Sequence, residues 1–112
     1  MRQFKTHPDR HQTIVVHKPA HDYTVEHDTG GGHIQAHRIQ FQDGPIREVG
    51  VNGLMNEELI AIIVDRLEHF QGSEFRCREN ALAITKLEEA MHWLRHRTEA
   101  RKTRGVEGTH TP

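Results

Sequence analysis

The chain has 112 residues, with 15 basic and 16 acidic side chains and a single cysteine. A net charge of −1 argues against a general polyanion coat, and a hydrophobic content of 34% lies below the ~45–50% of ordinary soluble domains. The length allows one domain, and so small and thin a core implies that oligomerisation supplies part of it. No apolar run approaches the ~18–20 residues of a membrane span, and no apolar segment follows Met1-Arg2-Gln3-Phe4, so no signal peptide is expected. Cys77 alone excludes an internal disulfide and a Cys-rich zinc motif. The expectation is a soluble, intracellular protein.

Charge is unevenly distributed. Residues 1–56 balance six basic against six acidic side chains, residues 57–94 carry four against eight, and residues 95–112 carry five against two. The positive charge therefore gathers at one end of the chain. Histidine is over-represented, at 11 residues, seven of them by residue 37.

In chain order, residues 1–12 read as largely disordered and residues 1–32 as a polar, His-rich extension. Within it Thr13-Ile14-Val15-Val16 and Tyr23-Thr24-Val25 suggest a hairpin over 13–28, and Gly30-Gly31-Gly32 reads as a flexible break. Residues 33–112 form the second unit. Ile34, Ala36, Ile39 and Phe41 suggest a strand, Asp43-Gly44-Pro45 a turn, and the alternation from Ile46 to Val51 a returning strand, which makes a hairpin over 34–52. Two strands alone are marginal in water.

A wide apolar stripe predicts a helix over 57–70, with Asn56 as N-cap and Glu57 and Glu58 suiting the dipole. A second helix runs over 77–103, followed by a tail at 104–112. Ile84, Leu87, Met91 and Leu94 step by three and four as in a coiled-coil seam. The seam extends to Asn80 and Cys77 upstream and to Thr98 and Arg101 downstream, so it is apolar in the middle and polar at both ends. The first helix is too short to cover the second, and the excess should pack on another subunit. The fold class expected is α+β: an N-terminal antiparallel sheet or hairpins, then an antiparallel two-helix hairpin, oligomeric.

The polar positions admit two readings each. Asn80 either fixes the register of the seam or presents an amide to a ligand. Phe70 and Phe75 are either core or, beside Arg76 and Arg78, a plate on which a purine stacks. Arg97, Arg101 and Arg104 share a helix face, where they either complement the dipole or grip phosphates through the bidentate guanidinium. Catalysis has little support. Glu57/Glu58 and Glu88/Glu89 are adjacent and point to different faces, nothing local pairs Cys77 with a histidine base, and the glycine triplet lacks the context of a phosphate loop. The histidines at 7, 11, 17, 21, 27, 33 and 37 follow no consistent ligand spacing. They read as incidental strand and loop residues, with a metal-stabilised assembly as the lesser alternative and no metal or other cofactor expected.

Two long runs carry a resemblance: Phe41-Gln42-Asp43-Gly44-Pro45-Ile46-Arg47-Glu48-Val49-Gly50-Val51-Asn52-Gly53, and Phe75 through Ala90 with Asn80 inside it. With Trp93-Leu94 and the tail Arg104-Gly105-Val106-Glu107-Gly108-Thr109-His110, they resemble the phage anti-Thoeris sponge family, whose helical-hairpin domain is shared with anti-CBASS cyclic-nucleotide sponges. The resemblance covers roughly residues 34–110. It implies a non-catalytic protein that sequesters cyclic ADP-ribose isomers made by TIR-domain defence proteins, acting in the cytoplasm of the infected bacterial host. It also implies dimers assembled into hexamers, pockets between protomers, and no membrane or duplex nucleic-acid partner. Phe70 and Asn80 match the positions that stack and hydrogen-bond the ligand, and Arg47 is a weaker match to a phosphate contact. Arg76 and the tail residues Gly108, Thr109 and His110 are expected at the same pocket, the glycines allowing backbone N–H groups close to an anion. Arg97 and Arg101 match positions that gather the phosphates of cyclic oligonucleotides. The alternative is an oligomeric nucleic-acid-binding protein that uses the basic face of the last helix.

Overall fold

The computed structural model describes residues 1–10 and 12–112; His11, one of the candidate histidines, lies outside the described residues. Four strands, β1 (Arg2–Phe4), β2 (Thr13–His17), β3 (Asp22–Gly30) and β4 (His33–Gln40), form one antiparallel sheet in the order β1-β2-β3-β4. Three helices follow: α1 (Ile46–Val49), α2 (Asn56–Gln71) and α3 (Arg78–Thr103). The fold is α+β. Strands pack on strands and α2 packs on α3, while the segment 41–55 joins the two parts.

The β2–β3 pairing places Val16 opposite Thr24 and Val15 opposite Val25. Alternation then puts His17, His27 and His37 on one face. There His17 stacks on Tyr23 at 4.3 Å, Tyr23 meets Phe41 edge-on at 5.7 Å, and His27 lies 5.2 Å from His37. No group of His, Cys, Asp or Glu able to hold a metal occurs among the described residues. On the other face Arg38 donates to Asp22 at 3.2 Å, and the hydrogen bond holds the Asp22 carboxyl below its ordinary value. That pairing adds stability above the usual aspartate range and loses it as pH falls through the lowered value.

Four expectations are corrected. Residues 1–12 are not wholly without structure, because Arg2–Phe4 completes the free edge of β2, with Gln3 opposite Val16. Gly30-Gly31-Gly32 is not a flexible break but a defined turn. All three glycines take positive φ, the triplet turns β3 into β4, and the sheet runs through the expected boundary at 32/33. The N-cap of α2 is Met55, whose N–H donates to Glu58 at 3.4 Å, and Asn56 is already helical.

The largest departure is at 34–52. His33–Gln40 pairs backwards with β3, and Ile46–Val49 is a short helix, not a returning strand. Pro45, at φ −68, is set for a helix start, and Gly50, at φ 74, ends it. The loop's polar groups are satisfied by two side chains in place of a strand ladder. The Asn52 amide donates to Asp43 O at 2.7 Å and accepts from Asp43 N at 2.8 Å. The Gln42 side chain donates to Gly50 O at 2.8 Å and accepts from Asn52 N at 2.9 Å. Leu54 N donates to Gln40 O and Gln42 N to Leu54 O, so the chain leaves the loop beside the point at which it entered.

The helical seam forms from Asn80 to Arg101, with Asn80, Ile84, Leu87, Met91, Leu94, Thr98 and Arg101 all at least partly buried; Cys77, expected to extend it, is exposed and stands before the helix as its N-cap. The core is thin. Among the described residues Val16 and Met91 are the buried apolar side chains, with Thr24 beside Val16. Ile62, Ile63, Leu82 and Trp93 face solvent on the helices, Trp93 at 61% exposure. The accessible surface is 8498 Å², against about 6,300 Å² for a compact monomer of this mass. The radius of gyration is 17.4 Å, against about 13 Å for a globule of this length.

Gly53 tests the clamp at 42–54. A Cβ there would lie 2.5 Å from Phe41 O and 2.8 Å from Gln40 O, both backbone atoms that cannot swing aside. Gly53→Ala should cost about 1–3 kcal/mol, read as a lower denaturant midpoint at unchanged slope. A midpoint within error of the parent would show that the segment is not held as described.

Candidate functional site

The sequence candidates occupy two places at opposite ends of the helical hairpin. At the α2–α3 turn, Phe70 is partly buried in the last turn of α2. The turn is fixed by its own polar groups. Ser73 Oγ donates to Phe70 O at 2.7 Å and accepts from Phe75 N at 3.1 Å. Gln71 donates to Cys77 O and accepts from Cys77 N, both at 3.0 Å. Cys77 caps α3, its Sγ accepting from Asn80 N at 3.4 Å. The cysteine is thus a structural cap. Its role leaves the partly buried Asn80 side-chain amide with no protein partner among the described residues. Arg76 and Arg78 are exposed on the same turn. An aromatic plate, a free amide and two cations therefore share this end.

At the other end the tail turns back. Gly105, at φ 73, lets Gly105 N donate to Lys102 O and Val106 N to Arg101 O, which closes α3. The Arg101 guanidinium then donates to Val106 O at 3.1 Å and Thr109 O at 3.2 Å. The tail meets α1. Arg47 N donates to Gly108 O at 3.1 Å, and His110 pairs with Glu48 at 2.9 Å. A Cβ on Gly108 would sit 3.0 Å from Arg47 Cγ, so glycine is what permits this approach. Between loop, helix end and tail lies a cleft of about 550 Å³ lined by Arg97, Arg101, Gly108, Thr109 and His110.

Within one chain, then, the candidates for a single nucleotide pocket are divided. Phe70, Asn80 and Arg76 are at one end. Arg47, Gly108, Thr109 and His110 are at the other, beside Arg97 and Arg101. From Asn80 to Arg101 is 21 residues of helix, about 32 Å at 1.5 Å per residue. The cleft also contains residues that sequence reasoning missed, among them His21, Gln42, Asp43, Met55 and Thr111. Only the quoted Phe41–Gly53 run signalled any of them, because a conformation with two side-chain clamps leaves no periodic trace. His21 lies 3.6 Å from Asp43 at the rim. A smaller cavity of about 350 Å³ adjoins, adding Phe41, Leu54, Leu94 and Thr98.

A groove of about 460 Å³ between α2 and α3 is lined by Asp65, Glu68 and Glu88 against one Arg95. Three carboxylates repel phosphates, so this groove has the wrong sign for an anionic ligand.

Residues 33–99 match the model of the Acb2/Tad1 hairpin domain. The match takes in β4, α1, α2 and most of α3, including Arg47, Phe70, Arg76, Asn80 and Arg97, and stops short of Arg101 and the tail. A curated relative, Thoeris anti-defense 1 of Bacillus phage SBSphiJ7, is 64% identical over 72 residues, 64% of this chain. The chain covers 51% of that protein, about half its length.

Arg101 ties the tail to α3 through charge-assisted hydrogen bonds, each worth about 1.5–3 kcal/mol. Arg101→Ala should therefore speed amide exchange at Val106 and Thr109 by an order of magnitude or more while protection in the middle of α3 persists. Unchanged exchange at both positions would mean that the tail is held otherwise.

Proposed function

The chain belongs to the Acb2/Tad1 hairpin-domain family, and from that premise we propose that it is a non-catalytic sponge. It binds cyclic ADP-ribose-type signals in the host cytoplasm during phage infection and so blunts the defence they trigger. The observation that carries this reading is the division of recognition chemistry between the two ends of the helical hairpin. A second copy packed antiparallel brings the Phe70, Asn80 and Arg76 end of each chain against the Arg47 and Gly108–His110 end of the other. Two equivalent pockets result, each closed only in the dimer.

Three quantities support that packing. The surface in excess of a compact monomer is about 2,200 Å² per chain, within the range of obligate interfaces. The uncovered apolar side chains Ile62, Ile63, Leu82 and Trp93 lie on α2 and α3. Antiparallel helices also set the +3 end of one chain beside the −4 segment of the other.

In the assembled pocket Phe70 stacks on the purine, the Asn80 amide donates to and accepts from base or ribose, and Arg47 with Arg76 neutralises the pyrophosphate. The backbone at Gly108–His110 closes the site. Sequestration is mass action. Keeping a micromolar signal bound needs a nanomolar Kd, about −12 kcal/mol. Stacking at ~1–3 kcal/mol per base and charge-assisted hydrogen bonds at ~1.5–3 kcal/mol each reach that sum. Arg97, with the Arg101 donors not spent on the tail, gathers the phosphates of cyclic oligonucleotides where dimers meet around a hexamer axis. The nucleic-acid-binding alternative is less well supported, because Arg101 and Arg104 both donate to carbonyls of their own tail.

The protein incubated with a mixture of cyclic nucleotides, washed and heat-denatured should release an intact cyclic ADP-ribose isomer by mass spectrometry. Phe70→Ala and Asn80→Ala should abolish that retention with the oligomer preserved, and Arg97→Ala, which leaves the hold of Arg101 on the tail intact, should remove only the cyclic oligonucleotide. A cleaved product would make the protein an enzyme, and retention by both Phe70→Ala and Asn80→Ala would displace the pocket.

A further inference from the structure

Arg66 is the one charge on a stripe of α2 that is otherwise apolar. Leu59, Ile62, Ile63, Arg66 and Phe70 recur at three- and four-residue spacing and share one side of the helix, apart from the Ile60, Val64 and Leu67 side. Ile62 and Ile63 are exposed there. Arg66 has no carboxylate partner among the described residues. Its guanidinium carbon lies 5.0 Å from the centroid of the Phe70 ring, within cation–π range. It therefore occupies a face on which a base would stack. Covering this stripe with a second copy takes Arg66 out of water, and a guanidinium buried without an anion is strongly unfavourable. The covered state calls for a negative charge beside it.

We infer that Arg66 binds the phosphate of the nucleotide ligand. In the empty pocket its guanidinium rests on Phe70. When a purine takes that face, the flexible Arg66 side chain moves from the ring to the ligand's pyrophosphate, exchanging a cation–π contact for charge-assisted hydrogen bonds. A neutral nucleoside displaces the guanidinium and returns nothing to it, so the arrangement favours purines that carry phosphate. The inference rests on the sponge reading and adds to it a specificity residue outside the recognised motifs.

The test is titration calorimetry of the full-length protein with cyclic ADP-ribose isomers over a range of salt, for the parent, Arg66→Ala, Arg66→Gln, Arg66→Lys and Phe70→Ala, with light scattering to follow assembly. Arg66→Ala and Arg66→Gln should bind at least about tenfold more weakly, with a salt dependence shallower by about one ion. Arg66→Lys should keep the parent's salt dependence. Should Arg66→Ala disturb assembly, the comparison of Arg66→Gln with Arg66→Lys decides. Affinity of the neutral variants within twofold of the parent, at unchanged salt dependence, overturns the role of Arg66 while loss of binding in Phe70→Ala leaves the pocket standing. Parent-like binding by Phe70→Ala overturns the pocket itself.

Discussion

Two helices packed side by side share one seam, and any further apolar surface on them must find cover elsewhere. In this chain that constraint is severe. The seam from Asn80 to Arg101 is occupied along its length, yet only Met91 among its members is buried outright. The four-stranded sheet does not supply the missing cover, because its strands pack on one another and, among the described residues, it approaches the helices through residues 41–55 and the turn at His21. The hairpin therefore stands as a scaffold about half clothed by its own chain. Its polar seam ends are the recognition elements of the proposed function, and its uncovered sides are what a second copy would bury.

The same constraint explains why the loop and tail are so heavily hydrogen-bonded. A segment that has no core to pack into must be fixed by polar contacts. Gln42 and Asn52 hold the loop 42–53 by pairing with its backbone, and Arg101 holds the tail by pairing with Val106 and Thr109. Each neutral bond adds only about 1 kcal/mol net and each Arg101 bond about 1.5–3 kcal/mol, and together they restrain the segments in place of hydrophobic burial. Rigidity at these places matters for affinity, since ordering a loop upon binding subtracts from the free energy that the ligand's contacts supply.

Periodicity made the helices legible. The step of three and four from Ile84 to Leu94 gave their seam, and the polar extension reached Asn80 and Arg101 but overran by one step at Cys77, which caps α3 instead. The same reasoning failed at residues 46–51, where alternation fits a strand while Pro45 and Gly50 set a single helical turn. Six residues cannot discriminate the two periods, and the clamps from Gln42 and Asn52 lie outside that window. The β1 edge was missed because three residues carry almost no pattern, and its pairing depends on β2, whose partner residues Val15–His17 lie beyond an intervening loop. Of the candidate site, the residue types were readable and their grouping was not. Only the fold shows that the tail returns to α1, because that return hinges on Gly105 and Gly108 at positive φ.

Dividing the recognition residues between opposite ends of a helix has a physical consequence. Arg47, Arg97 and Arg101 already share the tail end of one chain, and a fourth guanidinium placed there would add to their repulsion whether or not a ligand was present. Arg76 stands at the far end of α3, about 32 Å of helix away and well beyond the ~8–10 Å screening length, so it adds little to that repulsion in the isolated chain. In the proposed dimer Arg76 of one chain meets Arg47 of the other, where an anionic ligand would offset the charge. On the proposed reading, pocket formation, burial of the exposed helix sides and ligand capture would be linked equilibria, because a ligand that binds only an assembled form stabilises it by mass action. A protein with so thin a core is suited to that linkage, since its stability margin leaves room for the ligand to contribute a large share.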